Sequence, residues 1–275
     1  MLKKFLKKIN PYSHLFKYFN RVDKRQRFII SSVILTGLLF FSTLLTYSQA
    51  QIFLIVIILA VYFLTFFSVL EGIDRWEWAM LFLLPIYFTV AYNLFFFLLP
   101  GRWITRVPYI VIYAVSIYGI MLSSNIFNVG EMKNLQLYKA ASSVNFFYLI
   151  LTFFLVFNLI FSFKLNFIFN FILIFLISLP LVTQFYWSIN PKTTLETQVR
   201  RSGVFTALIM GQVALVFSFI PLTANIFALI ITAVFYSVGG LFQAYIEERL
   251  FKERIQEFIF VLVFILIMSL LTINW

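Results

Sequence analysis

Residues 144–186 read VNFFYLILTFFLVFNLIFSFKLNFIFNFILIFLISLPLVTQFY, and their one charged residue, Lys164, stands near the middle. A helix crosses a bilayer in about 20 mostly apolar residues, and this run holds two such lengths on either side of the lysine. The stretch therefore reads as a helical hairpin with spans at 144–163 and 167–186. A helix apolar around its whole circumference must be buried in protein or face lipid.

Working outward, the same length and hydropathy recur at 28–46, 52–70, 78–99 and 107–127 before the hairpin, and at 204–220, 224–246 and 256–274 after it. The expected fold class is all-α: a polytopic integral membrane bundle of about nine transmembrane helices. Only Pro221-Leu222-Thr223 separates the seventh and eighth spans, so a single re-entrant hairpin is the alternative there. The chain is 63% hydrophobic and 11% charged, whereas a soluble domain is about 25% charged. No polar stretch is long enough for a second core. The sequence divides into a basic amphipathic cytosolic arm, 1–27, and a transmembrane helical domain, 28–275.

Charge sets the expected orientation. With the N-terminus inside and the chain alternating, the inside segments carry 18 Lys and Arg and the outside segments 3. Basic residues stay on the cytosolic side of short loops, so the N-terminus is placed in the cytosol and the C-terminus outside, in a multi-pass protein of the cell membrane. Half of the inside charge lies in the arm. There Leu2, Phe5, Leu6 and Ile9 fall on one helical face, with Lys3, Lys4, Lys7 and Lys8 largely away from it. That pattern suits a helix lying on anionic lipid headgroups. The net charge of +11 thus points to the bilayer as partner and not to nucleic acid.

The residue inventory excludes several chemistries. Cysteine is absent and His14 is the only histidine. Thiolate metal sites, cysteine nucleophiles and Ser-His-Asp hydrolysis lack their parts. The nine glycines form no G-x-x-x-x-G-K phosphate loop, and neither a cofactor nor a metal site is expected. Glu247-Glu248 beside a helix end resembles the first motif of the membrane-embedded CAAX-type proteases. That family also needs histidines downstream; none follows His14, and Lys252 stands where an arginine belongs. With opposite charges three to four apart, 247–254 reads instead as an ion-paired helical extension.

Three groups remain as candidate sites. Pro85 and Pro180 interrupt spans at one depth, and Gln184, Gln212 and Gln243 lie in the expected cytosolic halves of spans six to eight. Together they form a candidate vestibule, or else ordinary kinks and helix-to-helix hydrogen bonds. Glu71, Asp74 and Glu77 are spaced by three in one expected cytosolic loop, and Arg200 and Arg201 form a basic patch in another. These five make a candidate cytosolic-face cluster for lipid phosphate or acid–base work, or else a solvated, topology-setting surface. Gly203, Ala207 and Gly211 recur every four residues as a helix-packing stripe, for an internal neighbour or a membrane protein partner.

No charged residue falls within the hydrocarbon part of any span, which speaks against proton pumps, voltage sensors and ion channels. The leading expectation is a non-enzymatic accessory or scaffold component of a membrane assembly. The alternatives are a carrier or flippase for a neutral or lipid-linked substrate, and a lipid-modifying enzyme using the loop carboxylates.

Overall fold

The computed structural model describes residues 23–69, 77–129, 135–192, 194–248 and 250–271. Of these, 86% are helical, and there is no strand among them. The elements are α1 (Lys24–Leu44), α2 (Tyr47–Ser68), α3 (Glu77–Phe96), α4 (Trp103–Val129), α5 (Leu135–Ser162), α6 (Phe167–Trp187), α7 (Thr197–Phe217), α8 (Ala224–Val234), a π turn (Phe235–Gly239), α9 (Gly240–Ile246) and α10 (Lys252–Leu271). The helix α8, the π turn and α9 run on as one 23-residue rod.

Among the described residues eight helical segments, with that rod counted as one, are long and apolar enough to cross a membrane. The seventh and eighth are both of that length. The ninth segment, α10, carries Lys252, Glu253, Arg254 and Glu257 in its first two turns, and the described part of its apolar run is Phe258 to Leu271. This architecture fits a multi-pass membrane protein. Its arm, residues 1–22, lies outside the described residues.

Consecutive helices run antiparallel. The Ser68 hydroxyl at the end of α2 donates to Ser31 near the start of α1 (2.9 Å). The hydroxyls of Tyr92 and Tyr109 each donate to the other's carbonyl, tying the end of α3 to the start of α4. Asn158 near the end of α5 bonds to Asn225 at the start of α8. All starts of odd-numbered helices up to α7, and that of α10, therefore share one end of the bundle. Lys24, Arg25, Arg27, Lys139, Lys192, Arg200, Arg201, Lys252 and Arg254 gather there, against Arg102, Arg106 and Lys164 at the other. We call it the basic end.

Several helices begin earlier than the apolar runs suggest. The first, α1, starts at Lys24 with Arg27 already buried (3% exposed). In α4 the helix starts at Trp103, so Pro108 falls inside it. There Arg106 donates to the Thr43 carbonyl (3.0 Å) and lies 4.9 Å from the Trp103 ring. Hydropathy marks the hydrocarbon boundary, but a helix continues wherever its polar side chains find partners.

In the middle of the bundle stands α5, packed against α3, α4, α6 and α8. Lipid is as apolar as leucine, so packing must hold such helices together. Much of it comes from phenylalanine: Phe153–Phe235 and Phe161–Phe227 have ring centroids 4.5 and 3.9 Å apart. Outward-facing residues such as Ile52 (73% exposed) and Ile104 (82%) form the face that lipid would cover.

Candidate functional site

The walls of the site are α5, the α8–α9 rod and α10. The rod is not a uniform helix, since Phe235–Gly239 winds as a π turn. Such turns insert an extra residue and recur at functional sites. A Cβ on Gly240 would run into the Phe258 ring, so glycine is what admits α10 this closely. The Ser237 hydroxyl donates to the Phe258 carbonyl (3.0 Å) and fastens α10 to the turn.

At this level three rings form a rung across the walls. The Tyr236 ring lies 5.7 Å from that of Phe146 and 5.3 Å from that of Phe258. On the basic-end side is a polar cavity of about 590 Å³. Its wall includes Lys139 and Ser143 of α5, Asn190 of the α6–α7 loop, Glu247 just past α9, and Arg254 and Glu257 of α10. On the other side is an apolar groove of about 450 Å³ between α5, α8 and α10. Phe147, Leu151, Phe154, Leu229, Ala233 and Val261 are among its lining residues. Tyr236 lines both, so the two spaces meet at its ring. Each falls in the range of about 300–1,000 Å³ typical of small-molecule sites.

The polar part is held by defined bonds. The Gln243 amide donates to Glu247 (2.8 Å), and the Tyr236 hydroxyl reaches Glu257 at 3.5 Å. The Tyr138 hydroxyl donates to the carbonyls of Ser188 and Ile189. Behind that wall the Gln184 amide donates to Asn145 (3.2 Å), whose own amide donates to the Ser188 hydroxyl (3.4 Å). A charged cavity and an apolar groove thus lie on either side of the Tyr236 rung, the first suited to a polar head and the second to an apolar tail. Among the described residues no three His, Cys, Asp or Glu are grouped to hold a metal ion.

The residues singled out from sequence are placed as follows. Gln243 lines the mouth, while Gln184 is buried against Asn145 and lines neither space. Gln212 is exposed on α7, Pro85 is buried in α3, and Pro180 is half-buried in α6. Glu71 and Asp74 lie outside the described residues, and Glu77 opens α3. Arg200 and Arg201 are exposed in the first turns of α7 and line neither cavity. The stripe packs on α6: Gly203 abuts Thr183, Gly211 abuts Phe171, and Ala207 between them is fully buried.

Sequence reading placed Glu247 and Arg254 in an ion-paired helical extension and gave Lys139 and Glu257 no part in a site. The structure differs at the last two helices. There α9 ends at Ile246, and Glu248 takes a left-handed conformation (φ 57°), so the chain turns instead of extending the helix. That turn swings α10 back against the rod and puts Arg254 and Glu257 opposite Lys139. The Gly239-Gly240 pair was the one local signal of the close approach.

No curated protein and no solved structure matches this chain. Residues 135–272 match the family described as a protein of unknown function, DUF5656. That stretch runs from the start of α5 to the end of α10 and contains every residue lining the cleft. It covers half of the chain, and the chain belongs to the DUF5656 family.

Proposed function

We propose that this protein is a multi-pass component of the cell membrane that binds a lipid-like amphiphile and carries it between the bilayer and the cytosolic face. The carrying observation is the junction at Tyr236 of a charged cavity and an apolar groove. The basic end is the cytosolic one on this reading, by the nine-to-three excess of described basic residues. A lipid sliding in sideways keeps its tail among Phe147, Leu151, Leu229 and Val261 while its head reaches water at Lys139 and Arg254.

Two other readings were open from sequence. A scaffold working through the small-residue stripe finds that stripe occupied by α6. A lipid-modifying enzyme would use Glu71, Asp74 or Glu77 with Arg200 and Arg201, and Glu71 and Asp74 lie outside the described residues. The carrier reading is the one with a cavity of matching chemistry.

Native mass spectrometry of the detergent-purified protein tests it. The unaltered chain is expected to retain co-purified phospholipid, and Ala233→Trp, which fills the groove, to retain much less. Equal retention by both would refute binding in this cleft.

A further inference from the structure

We infer that the amphiphile is a zwitterionic phospholipid, its phosphate held by Lys139 and Arg254 and its ammonium by Glu247 and Glu257. This rests on the amphiphile reading above and names the head that the mouth selects.

The argument is charge complementarity. Two cations and two anions line one cavity of about 590 Å³. The Lys139 ammonium and the Arg254 guanidinium have no hydrogen-bond or ion-pair partner among the described residues. Each carboxylate is anchored on one side only, Glu247 by Gln243 and Glu257 by Tyr236, and so keeps acceptor capacity for a further donor. Among the described residues the mouth has thus not neutralised itself. By contrast, Lys192 and Glu196 in the neighbouring loop form an ion pair.

Head types follow from this. An anionic head without an amine would pair with the two cations but face two carboxylates. A cationic head meets the reverse problem. A neutral head, such as a diacylglycerol hydroxyl, uses none of the four charges. A phosphodiester bearing an ammonium can satisfy both signs at once, and repulsion of single-sign heads is what gives selectivity. Arg254 suits the phosphate further because its planar fork matches two phosphate oxygens. The apolar groove fixes the ligand as a lipid and not a soluble phosphodiester.

The test is competitive native mass spectrometry on the delipidated full-length protein. It is offered equimolar dioleoyl-phosphatidylethanolamine, dioleoyl-phosphatidylglycerol and dioleoylglycerol. The expected result is retention of the ethanolamine lipid over each of the others by at least about fivefold. The double change Glu247→Lys, Glu257→Lys should invert the preference toward phosphatidylglycerol. These positions sit at the mouth, and the readout is a ratio within one folded sample. If both phospholipids bind equally and both are lost in Ala233→Trp, the head assignment is overturned while the cleft stands. If phosphatidylglycerol wins in the unaltered chain, the assignment is likewise overturned. If no lipid is retained, the carrier reading falls with it.

Discussion

Replacing Gly203 by alanine separates close helix packing from helix propensity, because Gly37 offers an internal control. A Cβ at Gly203 would stand 2.6 Å from the Thr183 hydroxyl oxygen and 3.4 Å from the Thr183 Cα. That hydroxyl cannot simply turn away, since it donates to the Leu179 carbonyl at 2.6 Å. A Cβ at Gly37 meets nothing within 4 Å. Both changes share the propensity gain of alanine in a helix, about 0.5–1 kcal/mol. Their difference isolates the overpacking cost at the α6–α7 seam, about 1–3 kcal/mol. At roughly 2–4 °C per kcal/mol for chains of 150–250 residues, Gly203→Ala should melt at least about 2 °C below Gly37→Ala. The assay is loss of helical circular dichroism in one detergent at one scan rate, which holds kinetic effects constant. Adding Thr183→Ala removes the obstructing oxygen and should restore most of the loss. Equal melting of the two single variants, or no recovery in the double one, would refute the placement of α7 on α6.

Three further outcomes follow from the same structure. Gly240→Ala drives a methyl into the Phe258 ring and should cost about 1–3 kcal/mol, read as a lower apparent Tm than Gly37→Ala in the same scan. Asn145→Leu leaves the buried Gln184 amide without its acceptor and Gln184→Leu leaves the Asn145 oxygen without its donor, so each should cost about 1–2 kcal/mol, whereas the double change removes both partners and should cost less than the sum of the two; detergent unfolding midpoints of the three variants check the coupling. Asn93 is 1% exposed and neither its amide nitrogen nor its oxygen has a partner among the described residues, so Asn93→Leu should raise the unfolding midpoint by about 1–3 kcal/mol equivalent, and a drop would mean that the amide holds something.

Much of the fold was legible in the sequence because the bilayer imposes one length on every crossing. The hairpin around Lys164 appears where the apolar runs put it, as α5 and α6 with the lysine in the turn at φ 52°. Helix starts were less legible. Leu135, Thr197 and Trp103 open their helices several residues before the apolar runs begin, since polar residues extend a helix past the hydrocarbon without changing its hydropathy signature.

The cleft was barely legible: of the candidate site residues singled out from sequence only Gln243 lines it. Its walls come from α5, α8 and α10, which are far apart in sequence, and periodicity within one helix does not say which helices meet. Lys139 and Glu257 look, in sequence, like residues that mark a helix end. Only the turn after Ile246, the π turn at Tyr236 and the missing side chain of Gly240 bring them to one mouth. Gln184 shows the opposite case. Of its two readings, cavity lining or helix-to-helix hydrogen bonding, it takes the second, its amide donating to Asn145 across a packed seam.

The central claim is that lipid occupies the space between α5, α8 and α10, and photo-crosslinking tests it most directly. The protein is reconstituted in nanodiscs containing a phosphatidylethanolamine with a diazirine in its acyl chain, and the adducts are mapped by mass spectrometry. The account predicts adducts concentrated on Leu151, Phe154, Leu229 and Val261, lost in Ala233→Trp, and well above those on Ile52, Ile55 and Phe63, which are exposed on α2 and line neither space. Labelling spread evenly over all outward-facing helices, and unchanged by Ala233→Trp, would contradict it.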